Sequence, residues 1–157
     1  MRAPWRRCSK DCGPIAELLP ADAPGDRRTL AATLEPHGLP TGDLLAKDIS
    51  VFRLVVDGAN AGYGGLESHG SDALLRSVVV LPQHNGMGRT LVGLLEQEAA
   101  ARGMAEIHLL TTTAAGFFRK LGYCEADRNS APLAIRQSRE FASLCPGSAV
   151  YLRKRLR

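Results

Sequence analysis

The sequence contains few cysteines and no long apolar run. Its 157 residues include four cysteines, and only Cys8 and Cys12 lie near each other, without a Cys-x-x-Cys spacing. Neither a structural zinc site nor a disulfide framework is therefore predicted. No stretch of about 18 apolar residues is present, as a membrane span would require, and no apolar signal-peptide core follows the basic N-terminus. We therefore expect a protein of the reducing cytoplasm, with no membrane partner and no metal.

Aromatic residues are also scarce, at 5% of the sequence, and the formal net charge is only +4. Much of the basic excess lies at the two ends, in Arg2, Arg6, Arg7, Lys10, Arg153, Lys154, Arg155 and Arg157. No aromatic side chains interleave a basic stripe in the middle of the chain, so a nucleic-acid-binding surface is not predicted. We interpret the basic ends as solvated segments.

Length and composition predict one domain. The hydrophobic fraction of 45% is ordinary for a globular protein, and 157 residues leave no room for a second core. Residues 1–13 show no periodicity and are expected to form a flexible extension, which leaves residues 14–157 as a single domain.

Hydrophobic periodicity predicts a mixed α/β fold. Strands are expected at 15–19, 50–56, 61–67, 74–81, 107–112 and 149–152, and helices up to about residue 35 and at 88–102 and 114–121. Residues 125–148 are polar and aperiodic, and they include one further candidate helix near 133–144. The strand, helix and strand between residues 74 and 112 form a crossover, which predicts two parallel neighbours after an antiparallel start. The glycine-rich run at 61–67 indicates that another backbone or a ligand approaches closely there.

The loop Gln83-His84-Asn85-Gly86-Met87-Gly88 carries the clearest chemical signal. It joins a hydrophobic strand to a helix, and the first amides of a helix have no internal partners and attract anions. Arg89 adds positive charge. A Walker loop would need a Gly-Lys-Ser/Thr ending, and a dinucleotide fingerprint would need a third glycine where Leu91 stands. The loop is therefore predicted to hold phosphates, and the alternative is a tight turn without a ligand.

The pattern Gln-x-x-Gly-x-Gly after a hydrophobic strand resembles motif A of the GNAT acetyltransferases. Residues 114–123, AAGFFRKLGY, are similar to that family's segment after the fifth strand, and the resemblance covers residues 15–123. It implies one central mixed sheet of about six to seven strands, splayed between its central parallel strands and flanked by about four helices. It also implies acetyl-CoA as acyl donor and a primary amine of a small molecule as acceptor.

By position, the resemblance also implies which residues hold the cofactor. The strand main chain would bind the pantetheine arm and the thioester, and the loop would bind the pyrophosphate. The implied cofactor-binding residues are Val78, Val79, Val80, His84, Asn85, Gly86, Met87, Gly88, Arg89 and Phe118. A main-chain N–H near Val78 is the implied catalytic donor to the oxyanion.

The proton donor and acceptor are less clear from the residues. Many family members carry a tyrosine where Phe118 stands, and phenylalanine cannot protonate the leaving thiolate, so the acid stays unassigned. Hydroxyl groups at residues 111–113 lie near the right strand end but can equally cap the next helix. Glu67, at the end of the glycine-rich strand, is the first candidate for the catalytic base, and the alternative is a solvated strand-end carboxylate. His69 and His84 are further candidates.

Arg76 interrupts an otherwise apolar strand, and strict alternation places it on the face of Val78 and Val80. A buried guanidinium needs a partner. It is either a substrate-binding anchor for a carboxylate or arsenical oxyanion, together with Glu67, or a structural partner of Glu67 or Asp72. Cys145 is a further candidate for substrate binding, because trivalent arsenic prefers sulfur, although a buried inert cysteine is the commoner case.

Four stretches are similar to an arsenic-resistance subgroup of the GNAT family. They are GLES (65–68), ALLRSVVV (73–80), LLTTTAAGFF (109–118) and FASLCPGSA (141–149). This similarity implies an amino-arsenical or an amino-acid-like toxin as acceptor. Two alternatives stay open, a non-catalytic CoA-binding or sensing module and a thiol-based arsenical-binding protein that uses Cys145 or the pair Cys8 and Cys12. In this family the last strand often lies at a dimer contact, so a homodimer is a further expectation.

Overall fold

One mixed sheet of seven strands organises the chain, in the order β1-β2-β3-β4-β5-β7-β6. The computed structural model describes residues 15–21, 23–38, 41, 48–144 and 147–156. The strands are β1 (Ala16–Pro20), β2 (Ile49–Val56), β3 (Ala59–His69), β4 (Asp72–Val80), β5 (Glu106–Thr111), β6 (Cys124–Ala126) and β7 (Val150–Arg155). The helices are α1 (Pro24–Leu34), α2 (Gly88–Ala101), α3 (Ala115–Lys120) and α4 (Leu133–Arg136). The predicted mixed α/β fold is confirmed. The extension at 1–13 and Cys8, Cys12 and Cys145 lie outside the described residues.

Two tight hairpins build the antiparallel half of the sheet. Val56 pairs with Ala59, so Asp57 and Gly58 form a two-residue turn, and both have positive φ, at 49° and 83°. Positive φ at both positions is the signature of a type I′ turn, whose twist matches that of the strands. A second two-residue turn containing Gly70 joins β3 to β4.

The sheet opens between its two parallel strands. β4 and β5 pair only over Asp72–Leu74 and Glu106–His108. Beyond these residues the register of β4 with β5 ends, whereas β4 stays paired with β3 and β5 with β7. The splay that the family resemblance implied is therefore present, and it creates a gap at the carboxyl ends of β4 and β5.

A bulge in β4 corrects one prediction. Ser77 has a left-handed φ of 57°, and the register with β3 shifts between Tyr63 and Gly65. The extra residue breaks the alternation of side chains. Leu75, Val78 and Val80 consequently share the face covered by α2, and Arg76 lies on the opposite face, where it reaches Glu67. The prediction that Arg76 shares a face with Val78 and Val80 was wrong.

Helices cover both faces of the sheet. On one face, Leu91, Val92, Leu95 and Ala99 of α2 pack into the main core. On the other, Leu30 and Leu34 of α1 cover Val51 and Val79, and the segment after β6 closes a third cluster around Leu74 and Tyr151. No helix of the described residues is long and apolar enough to span a membrane.

The glycines of β3 serve packing within the protein. A Cβ atom on Gly62 would lie 2.4 Å from the carbonyl oxygen of Val79, and one on Gly64 would lie 2.5 Å from Leu95 of α2. The predicted close approach of another backbone is thus confirmed at Gly62, next to the bulge. β7 pairs with β5 along one edge and, over Tyr151–Arg153, with β6 along the other. The expected dimer contact at this strand stays a prediction.

Candidate active site

A cavity of about 400 Å³ lies in the gap between β4 and β5. Its walls are Leu75–Val80 of β4, Leu109–Thr111 of β5 and the two phenylalanines of α3. Gly88 closes it at the start of α2, and His37 and Glu140 line it from elements on the other side of the sheet. On the side toward β5, residues 78–80, the predicted cofactor strand, therefore border the cavity rather than a strand partner.

The glycine loop lies at the mouth of this cavity. Gly86 has a φ of 95°, a conformation that favours glycine. Gly88 is packed so closely that an added Cβ would lie 3.1 Å from the ring of Phe117. Within the part of the chain that the structure describes, no backbone hydrogen bond engages the amides of Gly86 and Gly88, and no side chain caps the start of α2. The loop thus presents donors to an anion.

Not all of the predicted loop donors are available. The amide of His84 donates to the carbonyl of Leu81, at 2.9 Å, and the amide of Met87 donates to that of His84, at 3.2 Å. These two bonds close short turns that shape the loop, so main-chain phosphate binding by His84 and Met87 is not supported. Asn85 and Arg89 are exposed beside the glycines, and Arg89 borders a neighbouring groove with Lys120.

Phe118 lines the cavity, and its expected position beside the coenzyme A sulfur stays a prediction. Its ring is 7% exposed and packs edge-on against Tyr123, with ring centroids 5.4 Å apart. Tyr123 does not itself line the cavity, and burial together with the nearby Glu96 raises its pKa far above the usual range. Thr111 accepts a hydrogen bond from the amide of Ala114, at 3.0 Å, in the turn before α3, and it lines the cavity. The position of Tyr123 therefore does not suit the acid that Phe118 cannot be, and the acid stays unassigned.

Arg76 belongs to a buried group of charged side chains. Its Nη1 donates to Oε2 of Glu67 at 3.1 Å, and its Nε lies 3.6 Å from Oε2 of Glu140. Oε1 of Glu67 lies 2.7 Å from Nε2 of His69. The structural pairing of Arg76 with Glu67, one of the two open interpretations, is present. Asp72, the other suggested partner, instead lies 2.9 Å from Nε2 of His108.

Glu67 is not the solvated carboxylate that was the alternative to a catalytic role. It is 4% exposed, and both of its oxygens have partners. It is also not among the residues that line the cavity, whereas Arg76 and Glu140 are. Its role as catalytic base stays a prediction, and the geometry gives it an indirect position behind Arg76.

Sequence reasoning missed three polar residues of the cavity wall. Ser77 is 7% exposed, and its hydroxyl makes no hydrogen bond among the described residues. Glu140 belongs to a segment without periodicity, and His37 lies on a 3₁₀ turn after α1. The only sequence signal was the polar residue Ser77 within an apolar strand.

The sheet is splayed between its parallel strands, and the glycine loop and the uncapped start of α2 lie at the opening. This arrangement is typical of folds that bind the pyrophosphate of an acyl-CoA. The family model described as "Acetyltransferase (GNAT) family" matches residues 17–123, more than half of the chain. The chain belongs to this family. No curated protein sequence matches the chain.

Solved structures with the same fold include enzymes with different acceptors. An N-acetylglutamate synthase from Neisseria gonorrhoeae, complexed with coenzyme A and N-acetyl-glutamate, gives a TM-score of 0.73 at 19% identity, with 93% of this chain and 36% of that chain covered. The chain thus spans about a third of that protein. The ribosomal-protein-S18-alanine N-acetyltransferase from Escherichia coli gives 0.65 at 20% identity, with 90% and 94% covered. An aminoglycoside 6'-N-acetyltransferase complexed with coenzyme A gives 0.64 at 18% identity, with 91% and 97% covered. At these identities the likeness shows the fold alone.

Proposed function

We propose that this protein is an N-acetyltransferase that moves the acetyl group of acetyl-CoA to a primary amine of a small molecule. The observation that carries the proposal is the cavity between β4 and β5, with unengaged glycine amides at its mouth. Membership of the acetyltransferase family supports acetyl-CoA as the acyl donor. Two of the similar structures quoted above contain coenzyme A.

The residues present fit coenzyme A. Amides of Gly86 and Gly88, together with the start of α2, would bind the pyrophosphate, and Arg89 would add positive charge nearby. The main chain of residues 78–80 would bind the pantetheine arm along the open edge of β4, with Phe118 beside the thioester. Gly86 and Gly88 suit this role because a side chain at either position would be strained or crowded.

The reaction proposed is direct transfer. The amine nitrogen attacks the thioester carbonyl, a C–N bond forms, the C–S bond breaks, and coenzyme A leaves as its thiolate. A main-chain N–H near Val78 would stabilise the oxyanion. The nitrogen loses one proton, which the thiolate ultimately gains through solvent. Binding both reactants in the cavity between β4 and β5 supplies much of the rate gain, because it removes the entropy cost of their encounter.

The acceptor is proposed to be a small amine with an anionic group, including an amino-arsenical or an amino-acid-like toxin. Arg76 supports this choice, because it lines the cavity and a guanidinium suits a carboxylate or an arsenical oxyanion. Its bond to Glu67 means that such a substrate would share the guanidinium with a protein carboxylate. The same proposal includes contact between an arsenical and Cys145, action in the cytoplasm and a homodimer.

Release of free thiol from acetyl-CoA tests the activity. The panel should contain an amino acid, an amino-arsenical, an aminoglycoside and a simple alkylamine, and a reaction without amine measures background hydrolysis. We expect amine-dependent thiol release with at least one compound. If acetyl-CoA raises the melting temperature but no amine gives release, the protein is a CoA-binding module. Arsenite binding without any acetyl-CoA binding would favour the thiol-based alternative.

A further inference from the structure

Glu140 reaches the cavity from a part of the chain whose sequence shows no regular period. After α4 the chain forms a π-helical turn, Glu140–Leu144. Such turns are rare and are found frequently at functional sites. Phe141 of this turn packs in the third core cluster beside Tyr151, while Glu140, only 4% exposed, lines the cavity. The turn therefore places Glu140 in the wall of the proposed active site.

Several contacts fix this turn in place. Ser138 donates from Oγ to the carbonyl of Ile135, at 2.6 Å, and accepts from the amide of Phe141, at 3.3 Å. Arg128 donates to the carbonyl of Phe141, at 3.0 Å, and its guanidinium lies 5.3 Å from the centre of that ring. These hydrogen bonds engage residues before and after Glu140, so its backbone is held on both sides. A side chain held in this way suits a role that needs a defined geometry.

Arg76 links Glu140 to the oxyanion end of the site. Its Nε lies 3.6 Å from Oε2 of Glu140, and it lies two residues before Val78 on β4, across the bulge at Ser77. Glu140, Arg76 and Val78 all line the same cavity. A carboxylate presents acceptors only, so Glu140 suits donors, which are Arg76 within the protein and, from a substrate, an amine N–H.

We infer that Glu140 is the catalytic residue that binds the acceptor's amine and takes its proton. This inference rests on the proposed function and assigns the base of that reaction to Glu140 instead of Glu67. As the C–N bond forms and the C–S bond breaks, the proton in excess on nitrogen passes to the Glu140 carboxylate, and coenzyme A leaves as thiolate. Glu140 then returns that proton to solvent or to the thiolate. Glu67 acts as a positioning residue that holds Arg76.

The test compares Glu140→Gln with Glu67→Gln, using the amine that gives the highest thiol release with the wild-type protein. Glutamine keeps the shape and removes the proton acceptor. We expect Glu140→Gln to lower kcat/KM about 100-fold or more, the usual contribution of a general base, while the Kd for acetyl-CoA changes less than twofold. Glu67→Gln should lower the melting temperature and keep the pH profile of the wild-type protein. An activity of Glu140→Gln within threefold of wild type would overturn the inference.

The pH profile separates a catalytic role from a structural one. Arg76 from β4 faces Glu140, and His37 is the titratable group that lines the same cavity from the turn after α1. After kcat/KM is corrected for the free-amine fraction of the substrate, we expect the remaining acid limb to persist in His37→Asn and to disappear in Glu140→Gln. Loss of the limb in His37→Asn instead would assign the base to His37 and overturn the inference.

A second variant covers the case in which Glu140→Gln does not fold. Glu140→Asp keeps the carboxylate and shortens its reach, so we expect about a tenfold loss in kcat with the acid limb retained. Full activity in Glu140→Asp together with full activity in Glu140→Ala would contradict the inference. If the wild-type protein binds acetyl-CoA but acetylates no amine, the proposed function fails, and the role of Glu140 fails with it. If the wild-type protein is active and Glu140→Gln equally so, only the role of Glu140 fails.

Discussion

Replacing Arg76 with methionine tests whether the buried charged group stabilises the fold. Methionine has a similar length and no charge, so the change removes the guanidinium without opening a large cavity. Arg76 is 3% exposed and Glu67 is 4% exposed. After the replacement, the carboxylate of Glu67 would lose the donor that lies 3.1 Å from its Oε2.

The expected cost follows from the burial of both partners. Removal of one partner from a buried ion pair costs about 3–5 kcal/mol, because the other charge stays behind without compensation. For a chain of this size, each 1 kcal/mol corresponds to about 2–4 °C in melting temperature. We therefore expect Arg76→Met to lower the melting temperature by roughly 6–20 °C.

Urea unfolding of Arg76→Met, Glu67→Gln and the double variant measures this coupling directly. The double variant neutralises Glu67, one of the two carboxylates beside Arg76, so it should be more stable than Arg76→Met alone by about 1–2 kcal/mol. A loss below about 1 kcal/mol in Arg76→Met, or strict additivity in the double variant, would refute a stabilising pair.

Three further predictions concern the splayed region and the far strand. In urea unfolding, Gly62→Ala should destabilise the protein more than Gly64→Ala, by about 1–3 kcal/mol. An added Cβ at Gly62 meets the rigid backbone of Val79, whereas at Gly64 it meets the movable side chain of Leu95. Equal losses of stability in the two variants would contradict the reasoning. Ser77→Gly should raise the melting temperature by about 2–4 °C, because it relieves a left-handed φ of 57° and removes a buried hydroxyl; a lower melting temperature would show that the serine is not strained. Burial raises the pKa of Tyr151 from 10.0 to about 12. Stability should therefore be lost as pH rises through this interval, since the unfolded state releases its proton first, and alkaline unfolding of Tyr151→Phe should show a shallower loss.

The local features of the fold could be predicted because local residues determine them. The hairpin turn follows from the turn-forming residues Asp57 and Gly58, and the amphipathic face of α2 follows from Leu91, Leu95 and Ala99. The glycine loop is visible for the same reason, since two glycines stand between a hydrophobic strand and a helix. Such signals depend on neighbours in sequence, whereas phosphate binding by the loop stays a prediction.

The interior of the site depends on contacts distant in sequence, so the residues alone could not predict it. Regular alternation placed Arg76 on the wrong face because the bulge at Ser77 arises from the pairing of β3 with β4. Glu140 lies in a stretch without hydrophobic periodicity. Its π-helical turn is held by hydrogen bonds of Ser138 and Arg128 and by the packing of Phe141. The engaged amides of His84 and Met87 likewise reflect short turns that the loop pattern does not specify.

Calorimetric titration with acetyl-CoA tests the central claim most directly, with Gly86→Glu compared against Gly103→Glu. Both glycines have positive φ, at 95° and 83°, and open space around them, so the two variants share strain and added charge. Gly103 follows the opposite end of α2, roughly 20 Å from the loop. We expect the wild-type protein and Gly103→Glu to bind acetyl-CoA with similar Kd, and Gly86→Glu to bind at least about tenfold more weakly, a difference of about 1.4 kcal/mol. Equal binding by both variants, or none by the wild-type protein, would contradict a phosphate site at this loop.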